Sequence, residues 1–184
     1  MNSNEPRRLV LKDLKQGLPG ITSAVGSFMI EASVTCLEDQ NHKSGVELMV
    51  NGDYTNRYNL YWKYSITDQM RRSWKDKKEA TEFGACGIAI LIILDLTDYT
   101  VVSRSSTDTG IDYWLGTEEN EDDPPSYINK AGLEVSGILK GNNNDIQARV
   151  RKKLKQVEPS DDTALLAYIV VVEFSKPLSL VVKK

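Results

Sequence analysis

The run ALLAYIVVVEF, residues 164–174, constrains this chain more than any other stretch. It is apolar without alternation and rich in β-branched residues, the pattern of a strand buried on both faces. Such a strand needs cover above and below, so helices must flank its sheet. Two helical patterns can supply the cover. The first runs from Thr67 to about Asp95 and reads as one long helix, with Thr67 or Asp68 as N-cap. Its first half, TDQMRRSWKDKKEATE, is charged, and its second, FGACGIAILIIL, is apolar nearly all round, as a buried helix would be. Gly84, Ala85, Gly87 and Ala89 suit close approach to a sheet, and Ile88–Leu94 also fits an apolar strand. The second pattern, IQARVRKKLKQV, is amphipathic with Ile146, Val150 and Leu154 on one face, and Asp145 is a candidate N-cap. Beyond Lys176-Pro177, LSLVVKK reads as a short tail that docks.

The first 65 residues read as an extension of that core. Residues 1–8 are polar and expected to fray. LVLKDLKQGLPG starts a short strand or a turn of helix before Gly17, Pro19 and Gly20 break it. Ile21 to about Asn41 carries apolar residues at spacings of three and four, a helix. GVELMV, the turn signal NGD and YNLYWKYSI then form a hairpin or a two-stranded meander. Its aromatics, Tyr54, Tyr58, Tyr61, Trp62 and Tyr64, serve either cross-strand packing or a stacking platform for bases, with Arg57 and Lys63 nearby. Neither a repeat nor a long linker divides the chain, so residues 1–184 are expected to form a single domain: 1–65 a helix and aromatic hairpin, 66–184 the core.

Composition removes several classes of chemistry. His42 is the single histidine and is expected as an exposed residue at a helix end. Cys36 and Cys86 both sit in apolar helical text and read as buried thiols. That supply disfavours a Cys/His zinc site and a Ser-His-Asp or Cys-His mechanism. A net charge of −3 exerts no global pull on nucleic acid, so any such binding rests on a local patch. FGACGIAILIIL is too short to span a bilayer, and MNSNEPRRLVLKD has no leader pattern; no membrane association and a cytoplasmic location are expected.

The chemistry concentrates between Tyr99 and Lys140. GIDYWLG and LEVSG are strand-like and carry one carboxylate each, Asp112 and Glu134. Period-2 alternation places Asp112 with Trp114 and Gly116, and Glu134 with Ser136, Ile138 and Lys140. Paired antiparallel, opposed residues lie roughly 5 Å apart, close enough for two carboxylates to share a hard divalent cation, Mg²⁺ (or Mn²⁺) before Zn²⁺. Their bland alternative is a pair of edge-strand charges that keep a sheet soluble. The acidic loop Glu118–Asp123, before Pro124-Pro125, reads as a mobile hairpin tip. The cations Arg149, Arg151, Lys152, Lys153 and Lys155 either hold a phosphate backbone or form a solvated face.

From Thr67 to Phe174 the order is therefore helix, strand, strand, strand, helix, strand. With G-I-D in the second strand and L-E-V-S in the third, it resembles the restriction-endonuclease-like PD-(D/E)XK superfamily. The resemblance covers a little over half the chain and implies an α/β (α+β) core, a mixed central sheet flanked by helices, and Mg²⁺-dependent hydrolysis of DNA in defence or repair. It implies Asp112 and Glu134 as metal ligands and Glu82, with Glu79 second, as the acid of the first helix. Ile111 replaces the motif Pro. Ser136 stands where the motif has its Lys, so a donor must come from Lys140 on the same strand face or from Gln147, Arg149 or Lys152 on the next helix. If none does, the implied product is a nuclease-like subunit that no longer cuts and assembles with a protein partner, or with itself, through residues 1–65.

Overall fold

The computed structural model describes residues 5–106, 109–120, 126–157 and 165–184. The chain is a mixed α/β structure built on one eight-stranded sheet, with helices packed against it. Strand β1 (Arg7–Val10) is followed by a 3-10 turn over Leu11–Gln16 and helix α1 (Ser23–Asp39). Then come β2 (Val46–Gly52), β3 (Asn56–Tyr61), the short helix α2 (Asp68–Ser73) and α3 (Lys77–Leu96). The second half contains β4 (Thr100–Arg104), β5 (Tyr113–Asn120), β6 (Ser126–Ile138), α4 (Asn143–Gln156), β7 (Leu166–Glu173) and β8 (Leu178–Lys183).

The sheet order is β1-β3-β2-β8-β7-β6-β5-β4. Strands β4, β5 and β6 form an antiparallel meander, and β7 returns parallel to β6 through α4. The LSLVVKK segment is no docked tail. As β8 it pairs antiparallel with β7 and parallel with β2, fusing the N-terminal hairpin to the meander. Arg7 and Arg8 belong to β1, parallel to β3, so the frayed start does not extend to them.

Strand β7 has cover on both faces, as its unbroken apolar run requires. Tyr168, Val170 and Val172 join the core shared with α1 and α3, while Ile169 and Val171 meet Ile146 and Val150 of α4. Period-2 alternation divides the strand cleanly between the two layers. The α1–α3 contact is close because Gly84 and Gly87 lie against α1, where an added Cβ would meet Ser33 Cα at 3.1 Å and Ser33 Oγ at 3.0 Å. These small residues thus serve helix on helix, not helix on sheet. Approach to the sheet depends on Gly137 of β6, whose Cβ would fall 2.3 Å from Thr81 O.

The long helix expected from Thr67 is two helices. Thr67 caps α2, accepting from Met70 N at 3.2 Å, and Asp76 caps α3, accepting from Lys78 N at 2.9 Å. Two side chains that draw backbone N–H groups to themselves restart the helix between them. Ile88–Leu94 is helical, and its residues through Ile93 are buried. Two of the five hairpin aromatics belong to the core: Tyr58 is buried with its hydroxyl donating to Asp95 at 2.7 Å, and Trp62 is buried and donates to Glu38 at 3.0 Å, while Tyr64 stays exposed. His42 is half-buried rather than exposed, its Nε2 2.9 Å from Phe174 O at the end of β7. Of the acidic loop, Glu118 and Glu119 lie in β5; the rest of that expectation, on residues 121–125, falls outside the described residues.

Candidate active site

Asp112 immediately precedes β5. Its N–H donates to Leu133 O at 2.9 Å and its carbonyl accepts from Ser105 N at 2.9 Å, so it is held between the neighbouring strands. Tyr113 is paired with Leu133, which sets Asp112 beside Glu134 across the antiparallel pair. Its Oδ2 also accepts from Val135 N at 2.8 Å, which fixes the carboxylate's direction. The register missing from the sequence is thus supplied by the fold. Past this point β6 has no β5 partner, and residues 134–138 pair only with β7.

A cavity of about 510 Å³ opens there. Asp112, Val135 and Ser136 form one wall; Lys78, Glu82, Phe83 and Cys86 come from α3, and Arg149, Lys152 and Lys153 from α4. Arg104, at the end of β4, belongs both to this cavity and to a smaller recess of about 230 Å³ that also reaches Asp112 and Glu134.

Glu134 is buried, with 1% exposure, and forms an ion pair with Lys153. Burial, and then the adjoining Asp112 carboxylate, push its acid up to about 7 against the pull of Lys153. The two adjoining carboxylates, which share the smaller recess, repel each other, and a cation between them would relieve that repulsion. Their oxygen donors suit a hard divalent ion, and Glu82 faces the larger cavity, which Asp112 also lines, from α3. Among the described residues no three such groups converge into a ready-made cage. A hard ion held by only two carboxylates would have to keep several waters, a habit of Mg²⁺.

The fold sorts the remaining sequence candidates. Ser136 is buried and accepts a hydrogen bond from Arg149 Nη1 at 2.8 Å. Arg149, Lys152 and Lys153 reach the cavity, whereas Gln147, Arg151 and Lys155 are exposed and do not line it. Lys140 does not reach the site. It lies exposed in the turn after β6 and does not line the cavity, because β6 ends at Ile138 and the face alternation ends with it. Glu79 is in the first turn of α3 and lines no part of the cavity either.

Two residues were missed as contributors to the centre. Lys153, one of the basic residues of the helix, is the cation on Glu134. The signal was present: Arg149, Lys152, Lys153 and Gln156 recur at three- and four-residue steps, one face of α4. Arg104 had no such signal, since its place depends on how β4 pairs with β5. Among family models, curated proteins and solved structures, none matches this chain.

Proposed function

We propose that the protein is a metal-dependent DNA nuclease of the PD-(D/E)XK type, with α3, the β4–β6 meander, α4 and β7 as a restriction-endonuclease-like core. One observation carries this reading: half-buried Asp112 and buried Glu134 adjoin across β5 and β6, Lys153 bridges Glu134 to α4, and Asp112 opens onto a cavity edged with cations. Asp112 and Glu134 would hold Mg²⁺ or Mn²⁺, with Glu82 supporting directly or through water. A bound divalent ion lowers the cost of forming hydroxide and offsets charge on the phosphate.

The chain's own groups perform the rest. Arg149 and Lys152 hold the DNA backbone by charge-assisted hydrogen bonds to its phosphate oxygens. Lys153, paired with Glu134, would supply an ammonium in place of the motif lysine, orienting the attacking water and offsetting the negative charge gathering on phosphorus. Water oxygen bonds to phosphorus and gives up a proton to solvent, the P–O bond to the leaving sugar oxygen breaks, and that oxygen takes up a proton from solvent.

Ser136 in place of the motif lysine favours a second reading, a nuclease-like subunit that no longer cuts and works with a protein partner. Purified protein incubated with supercoiled, linear and single-stranded DNA in Mg²⁺ or Mn²⁺ separates the two. Cleavage lost in Asp112→Ala and Lys153→Ala is the expected result. Absence of cleavage by the folded wild type would favour the second reading, and cleavage surviving in Asp112→Ala and Glu134→Ala would sink the site.

A further inference from the structure

An aromatic ledge leaves the rim of the cavity. Phe83, a cavity residue on α3, stands edge-on to Phe28 of α1, their ring centroids 4.9 Å apart. Phe28 also rests 4.6 Å from the ring of Trp74, which is buried and anchored by its Nε1 donating to Glu31 at 3.0 Å. Phe28 is thus held by two rings while 44% of it remains in solvent, and Val25, three residues earlier on α1, is 42% exposed. A lone exposed apolar side chain would carry no message, but this one continues a cavity wall.

The surroundings decide what can cover it. Lys78 is exposed on the same helix as Phe83, and Arg104, Lys152 and Arg149 edge the same cavity. Aromatic faces beside cations are how proteins hold a strand whose bases are free, the cations following the phosphates and the rings taking the bases. An apolar protein partner would leave those cations unmatched. A duplex keeps its bases stacked inside and offers the ring nothing to receive.

We propose that Phe28 and Phe83 form a stacking ledge for an unpaired base, so that the site takes single-stranded DNA in preference to duplex. This rests on the nuclease reading and narrows its substrate.

The test measures binding in EDTA, where hydrolysis is absent. The probes are a fluorescein-labelled oligothymidylate, the matching duplex, and a single strand carrying 2-aminopurine, whose emission is quenched on stacking. Wild type should prefer the single strand and quench the probe. Phe28→Ala should lose roughly tenfold in single-strand affinity and most of the quenching, with little change for duplex, in line with the usual contribution of one stacked base. Phe28→Tyr should retain both. Equal loss for single strand and duplex, or no loss for either, would overturn the ledge. So would a changed oligomeric state in Phe28→Ala with unaltered binding, which would make the ledge a protein contact. If Phe28→Ala binds and cuts as wild type does while Asp112→Ala does not cut, the ledge fails and the nuclease stands.

Discussion

Two glutamates on neighbouring parallel strands make an instructive pair. Glu134 of β6 and Glu173 of β7 are 1% and 2% exposed, and the register and alternation of the strands put both on the α4 face of the sheet. Glu173 accepts from Ser175 N at 2.9 Å, Lys176 N at 2.7 Å, Gly141 N at 3.1 Å and the Ser175 hydroxyl. It knots the β7–β8 turn to the loop before α4 with donors that cannot leave. Glu134 has the ammonium of Lys153, a second carboxylate beside it, and a recess in front. Burial of a carboxylate is common to both. What separates a structural tie from a candidate site is whether fixed donors satisfy the charge or leave it open to a ligand.

The sharpest way to break this comparison is to remove one charge from each residue in turn. Glu134→Gln should lower metal-dependent cleavage by at least about 10²-fold, since it removes charge where the reaction develops it. Glu173→Gln should leave cleavage within a few-fold of wild type when both are assayed on one DNA substrate in Mg²⁺. Similar losses in the two variants would mean that the glutamates differ only in surroundings and not in role.

Stability should reverse the order. Glu173→Gln keeps one acceptor oxygen but presents an NH₂ to a backbone N–H, which costs about 1–3 kcal/mol. A lower urea midpoint with an unchanged slope is the expected record; an unchanged midpoint would show that the turn holds without the knot.

Much of this frame was readable in the sequence, and the parts that were not share a cause. The parity of β5 and β6, the buried β7 and the amphipathic α4 follow from side-chain periodicity, a local property. Asp112 and Glu134 stand out in the sequence as the lone carboxylates of two strand-like segments. Lys140 was misplaced because alternation was carried past Ile138, where the strand stops. The interior position of β8 was invisible because strand neighbours are set by long-range pairing: LSLVVKK looks the same at an edge as between β2 and β7. The break between α2 and α3 was legible in principle, since Asp76 is a good cap, but the uninterrupted helical spacing masked it. Lys153 is likewise one of five cations in the sequence of α4, and only the packing of α4 on β6 singles it out.

Asp112→Asn sharpens the comparison from the other side. Asparagine can still accept from Val135 N, yet it removes one charge from the carboxylate pair. Relief of that repulsion should stabilise the fold by about 1 kcal/mol while cleavage disappears, the trade expected where charge is held against its own preference. A destabilised Asp112→Asn would show that Lys153 already neutralises the pair and that little strain is stored there.

The smallest expected effect reads the same charge through a thiol. Burial pushes both cysteine thiols up to about 12; for Cys86, on the cavity wall, the Asp112 carboxylate adds to that rise, while Cys36, away from the cavity, lacks it. An acid whose folded value lies above its unfolded value of about 9 holds its proton longer when folded, so this contribution to stability is lost as pH rises from about 9 to 12. Both thiols should therefore resist iodoacetamide at pH 8.5 in the native protein and react in denaturant. Asp112→Asn withdraws a negative charge from Cys86 alone, so Cys86 should alkylate a few-fold faster in that variant while Cys36 keeps its wild-type rate, as resolved by peptide mass spectrometry. An equal rise at both thiols would point to general loosening; a rise at Cys86 alone would report the unneutralised charge on the Asp112–Glu134 pair, the feature that Glu173 lacks.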